Sequence, residues 1–157
     1  MCTSFMQQLM VGEHQLGTAT LVSRTSLTAP TTDTLKAALY LASATMNAAS
    51  TVYTVTGEVS GTGYVAGGVT VTNATAPNST NTTATAGVAF FTPSASITYT
   101  TVTLTTAFDA VLLYNSTQSN KAISVHTFGS QTITAGTFTL TMPANTTSTA
   151  LIRLATT

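Results

Sequence analysis

The sequence is poor in charge. Only 5% of its 157 residues are Asp, Glu, Lys or Arg, against about 25% in an ordinary soluble domain. The charged residues are Glu13, Arg24, Asp33, Lys36, Glu58, Asp109, Lys121 and Arg153, and they sum to zero. Scattered cations of this number build no basic face. That excludes a nucleic-acid binder, which must displace counterions from phosphates. Tryptophan is absent and Cys2 is the single cysteine. No internal disulfide can frame the fold, and no Cys/His cluster has zinc spacing. No apolar run approaches the ~18 residues of a membrane-spanning helix. Residues 1–5 lack a basic stretch followed by a long apolar one, so no secretory leader is expected. Disorder is excluded too, because hydrophobic residues make up 43% and mean hydropathy is +0.33.

What is abundant is threonine, 39 residues in all. The length suits one domain with its own core. After Gly17 the apolar period is two. Strands are expected at 34–41, 64–66 continuing into 69–72, 86–92, 97–105, 107–114, 122–128, 132–142 and 150–154. In "TVTLTT" (101–106) and "TFTLTM" (137–142) Val, Leu, Phe and Met alternate with Thr. One face is apolar and the other carries hydroxyls, the pattern of antiparallel sheets with one buried side. Threonine is β-branched, so it favours the strand, and its hydroxyl wets the outer face without charge. Turn signals fall at Pro77-Asn78-Ser79, Thr92-Pro93-Ser94, Asn115-Ser116-Thr117, Phe128-Gly129-Ser130 and Pro143-Ala144-Asn145. Short strands at this spacing predict an all-β fold, a single antiparallel β-sandwich or barrel-like domain over 18–157.

Residues 1–17 predict a helical arm, with Ser4 as N-cap, Gly17 as stop and His14 on the helix. Phe5, Met6, Leu9, Met10 and Leu16 form its apolar stripe. The stripe packs either on the domain's own core or on a neighbouring subunit. In the second case these five residues dock a partner, and removing residues 1–16 leaves the sandwich folded but unable to bind.

"GTGYVAGGVTV" (61–71) has Gly61, Gly63 and Ala66 at the spacing of a dinucleotide-binding fingerprint. Such a loop must open a helix, with an acidic residue about 20 residues on. Here Val69-Thr70-Val71-Thr72 follows, and the next acidic residue after Glu58 is Asp109. The glycines are assigned instead to a turn and a bulge at a sandwich edge. No cofactor-binding, metal-ligating or catalytic set emerges, and an enzyme is not expected. His126 shares a strand face with Ala122 and Ser124. Asn73, Asn78, Asn81, Asn115 and Asn145 head Asn-x-Ser/Thr triplets, which this much threonine makes common by chance. Tyr40, Tyr53, Tyr64, Tyr99 and Tyr114 are dispersed along apparent strands, where core packing is their expected use.

The order of "KAALY" (36–40), "GEVSGTGYVAGG" (57–68), "LLYNSTQSNKAISVHTFGS" (112–130) and "LIRLA" (151–155) resembles a family of small virion structural proteins of tailed bacteriophages, across about residues 34–155. The resemblance implies a virion protein assembled in the host cytoplasm, with the major capsid protein and copies of itself as partners. It implies no nucleic acid and no membrane. Two roles stand beside each other. One is a capsid decoration (cement) protein. The other is a tail or head fibre module that binds a host-surface glycan receptor. A surface with so little charge is poorly protected against association, which suits a component covered by its neighbours.

Overall fold

The computed structural model describes residues 1–10, 12–17, 32–80 and 87–155. Residues 18–31 of the expected sandwich domain lie outside these, as does Asn81. Among the described residues the fold is all-β with one short helix, and the strands form two antiparallel sheets. Helix α1 spans Thr3–Met10. The strands are β1 (Leu35–Leu41), β2 (Val69–Thr70), β3 (Asn78–Thr80), β4 (Val88–Phe91), β5 (Ile97–Asn115), β6 (Lys121–Leu140) and β7 (Ile152–Ala155). One sheet has the order β2-β1-β5-β6, the other β3-β4-β7.

β1 reads Leu-Lys-Ala-Ala-Leu-Tyr-Leu, and Ala37, Ala38, Leu39 and Tyr40 are all fully buried. A strand covered on both faces has no polar face to alternate with. It lies between β2 and β5, from Leu35 opposite Asn115 to Leu41 opposite Phe108. The second sheet adds Phe91 and Ile152 to the same core.

β5 and β6 are far longer than the usual strand of about 5–6 residues. Alternation alone predicts each as two strands. The expected breaks, near residue 106 and at Phe128-Gly129-Ser130, are bulges inside continuous strands rather than turns. Pairing shifts between Leu104–Ile133 and Phe108–Gln131, and again before Ala110–Thr127. Bulges bend strands and let one strand serve two layers. The bend is visible in what faces what. Ile97 and Leu140, at the far end of the hairpin, line the same cavity as Val111, Leu113 and His126 near its other end. Phe108 sits at the corner, fully buried, with its ring edge-on to Phe128 and Phe138. The hairpin thus folds over itself and supplies much of a sandwich-like core.

Three smaller expectations are corrected. Residues 64–66 are loop, not strand, because they belong to the glycine segment. Asn78 and Ser79 begin β3 rather than a turn. The helix does not reach Gly17. It closes at Gly12, whose φ is +75°. Gly12 N–H donates to Leu9 O at 3.1 Å and Glu13 N–H to Gln8 O at 3.0 Å, the paired bonds of a Schellman ending. The first available glycine ends the helix, so His14 lies beyond it. Ser4 is not the N-cap either. Thr3 already opens the helix, and Ser4 Oγ is buried without a partner. Cys2 N–H to Ile123 O (2.8 Å) and Thr3 N–H to Ala48 O (3.0 Å) tie the start down instead.

Candidate functional site

The expected docking stripe is divided by the fold. Phe5 is fully buried and Leu16 nearly so, both in the chain's own core. Leu9 packs partly against that core, while Met6 is 43% exposed. Of Met10 only the helical backbone is described. The segment is therefore a cover on its own domain, and Phe5 and Leu16 cannot also face a neighbour. Among the stripe's described side chains, Met6 is the one largely at the surface.

The tyrosines, scattered in sequence, converge in space on Glu58. Tyr53 donates to Glu58 Oε2 at 2.6 Å, and Tyr64 to Oε1 at 2.7 Å. Gly67 N–H donates to Oε1 at 2.7 Å. Tyr114 donates to Gly67 O at 2.8 Å, Tyr99 to Ala37 O at 2.8 Å, and Tyr40 to Thr54 O at 2.6 Å. Tyr53 stacks on Tyr114, and Tyr64 on Tyr99. Burial pushes all five phenols above their ordinary range, with Tyr40 raised to about 12. The Glu58 carboxylate adds to the rise at Tyr53 and Tyr64 through its hydrogen bonds. The cluster locks the glycine segment onto β1. Gly68, at φ +69°, lies so close that a Cβ there would collide with Ala37 O. Close approach to β1, not a bend at a sheet edge, is what this glycine allows. No regular spacing marks the cluster, because its members come from β1, the β1–β2 connection and β5.

A second network joins the N-terminal segment to the β5–β6 turn. Asp33 Oδ2 accepts from Gln15 N–H at 2.8 Å and from Asn115 Nδ2 at 2.5 Å. Asn115 Nδ2 also lies 2.9 Å from His14 Nδ1, and His14 Nε2 lies 2.9 Å from Gln8 Oε1. Burial lowers the His14 pKa, partly opposed by Asp33 and Glu13. Asn115 is fully buried, so its triplet is no accessible acceptor for glycan. Lys121 pairs with Glu13. These groups hold the chain's own segments together, and none adjoins a nucleophile in the bonds observed. Among the described residues, no three His, Cys, Asp or Glu side chains could hold a metal ion, and no helix is long and apolar enough to cross a membrane.

Two surface features remain. Arg153 is the one charged residue that is largely exposed among the described residues. The other feature is the outer edge of β6. At its start the edge is covered. Ala122 N–H donates to Thr51 O at 3.0 Å, Ile123 O accepts from Cys2, and Lys121 bridges Val52. From Val125 to Leu140, β6 pairs with no strand but β5 among the described residues. This stretch carries no Asp, Glu, Lys, Arg or Pro, the residues that usually blunt a sheet edge. Bulges are the protection it has. The chain matches no protein-family model, no curated protein and no solved structure.

Proposed function

We propose that this chain is a non-enzymatic virion structural protein, a decoration (cement) protein that binds and stabilises the major capsid shell of a tailed phage. The observation that carries this reading is the uncharged outer edge of β6, which from Val125 to Leu140 pairs with no strand but β5 among the described residues. Unpaired backbone N–H and C=O groups along an edge are a template for a strand from another chain. An edge without charge invites such pairing, and the nearly charge-free surface beside it offers little repulsion. The resemblance to small phage virion proteins gives the partner its identity. The internal use of Glu58, Asp33 and the tyrosine hydroxyls supports a body that works by shape. It also disfavours the fibre alternative, since a glycan would need those rings and acids at the surface.

The test adds purified protein to capsids that lack it and counts bound copies at low and high salt. Saturation at many copies per shell, little changed by salt, supports the reading, because screening acts on charges and this chain has few. The exposed Thr134 and Thr139 changed together to Lys should reduce occupancy at least tenfold. No binding to shells, or a few copies confined to a tail or vertex fibre, would overturn it.

A further inference from the structure

The bent β5–β6 hairpin, with Met142 and Leu151 beside it, lines an open pocket of about 350 Å³. Its apolar wall includes Leu113, Phe128, Phe138, Leu140, Met142 and Leu151, and no Asp, Glu, Lys or Arg among the described residues lines it. Pockets of this size and character, with a few well-placed polar groups, are the usual form of a small-molecule site. The polar lining here is His126 and Gln131 with Thr127, Thr139 and Thr141, and of these His126 is the one ring that can both donate and accept. Its Nε2 lies 2.9 Å from Ser124 Oγ, and its Nδ1 has no partner among the described residues. A hydroxyl can donate or accept. Ser124 therefore accommodates either ring tautomer, leaving Nδ1 able to accept from, or donate to, one further group. Burial keeps the ring neutral by lowering its pKa, so the cavity holds no fixed charge to match an ion.

We propose that this cavity binds an uncharged amphiphile, an aliphatic chain against the apolar wall with a terminal hydroxyl on His126 Nδ1. The volume corresponds to roughly a dozen groups at ~30 Å³ each, so chains of about eight to ten carbons fill it. A carboxylate head is disfavoured, because it would enter a wall without a cation to pair with.

The experiment uses the full chain with its methionine methyls labelled with carbon-13, titrated at pH 8 with 1-alkanols from butanol to decanol. Met142 is the one methionine among the described residues that lines the cavity. With 1-octanol its resonance should shift saturably while Met1, Met6 and Met46 stay still. Affinity should rise about fourfold per added CH₂ until the cavity is full, then level off. Octanoate should bind at least tenfold more weakly. His126→Phe should weaken octanol tenfold without weakening octane. Leu151→Trp, in a variant shown to be folded, should block both. The chain-length series on the unaltered protein stands even if either variant fails to fold. An unmoved Met142 in water saturated with octanol would overturn the proposal. So would all methionines moving together, or octanoate binding as well as octanol.

Discussion

Tyr64 donates its phenol hydrogen to Glu58 at 2.7 Å and, through the same oxygen, accepts Leu39 N–H at 3.0 Å. One hydroxyl therefore ties the glycine segment to the central strand and to the one carboxylate beneath it. Glu58 has further donors in Tyr53 and Gly67. Removing an acceptor from buried donors costs about 1–3 kcal/mol for each one left unpaired. Several of these groups are only partly buried, so Glu58→Ala is expected to cost about 3 kcal/mol. Tyr64→Phe is expected to cost about 1–2 kcal/mol by the same reasoning. Urea unfolding followed by tyrosine fluorescence measures both. A Glu58→Ala protein as stable as the parent would reduce the cluster to coincidence.

The same cluster sets an alkaline limit. The phenols are held above their ordinary value of 10 in the fold, Tyr40 at about 12. The unfolded chain releases those protons at lower pH than the folded one. Stability is thus complete below pH 10 and falls as pH rises beyond it. Absorbance at 295 nm should show little phenolate at pH 11 while the protein stays folded, then a cooperative rise as it unfolds. Gradual ionisation of all five tyrosines near pH 10 in the native protein would contradict their burial.

Much of the fold was legible because alternation of Thr with apolar residues is a local signal. The positions of both long strands follow from it, whereas β1, β4 and β7 are short, mostly apolar runs without threonine. The breaks in β5 and β6 were legible as well, but not their nature. Phe128-Gly129-Ser130 has turn chemistry, yet a bulge uses the same residues, and only the shift in pairing around Phe108 and Gln131 decides between them. The helix stop was misplaced because Gly12 and Gly17 both suit the end of a helix. Gly17 is fixed by something remote, the carbonyl oxygen of Thr75, which a Cβ at this position would strike. The Glu58 cluster and the Asp33–Asn115–His14 network were not legible. Glu58 meets Tyr53, Tyr64 and Gly67 across irregular chain 5, 6 and 9 positions away, while Tyr114–Gly67 and Asn115–Asp33 span 47 and 82 positions, and neither kind of bond leaves a period in a sequence.

Acid should weaken the fold through its histidines. Burial lowers the pKa of both His14 and His126 below the ordinary value of 6.5. The unfolded chain therefore takes up protons first as pH falls. Stability is fully present above pH 6.5 and is lost below it, by up to about 1.4 kcal/mol per pH unit for each histidine. The window to examine lies around and below the ordinary histidine value, from pH 7 to ~5. Thermal unfolding across this window should show a falling midpoint, and His14→Gln with His126→Gln should flatten the profile. A midpoint that rises as pH drops to 5 would mean that the folded histidines hold their protons more tightly than the unfolded ones, the opposite of what burial does.

Phe5 and Met6 are neighbours on α1 with opposite environments, fully buried and 43% exposed. Phe5 also meets the His14 ring edge-on, with centroids 4.8 Å apart. Phe5→Ala should open a cavity and cost about 3–5 kcal/mol. Deleting residues 1–16 should do worse, since it also removes Cys2 and Leu16 from the core and the Cys2 bond from Ile123. The truncated chain is then expected to lose cooperative unfolding rather than remain a folded body that has lost only its binding. Met6→Asp separates the two roles that the apolar stripe could have combined. It should leave the stability within about 0.5 kcal/mol of the parent, as surface changes usually do. If α1 also touches a neighbouring subunit, Met6→Asp should lower occupancy on capsids despite an intact fold, because it buries a charge against an apolar contact. Unchanged occupancy would confine the helix to covering its own core and leave the β6 edge as the binding surface.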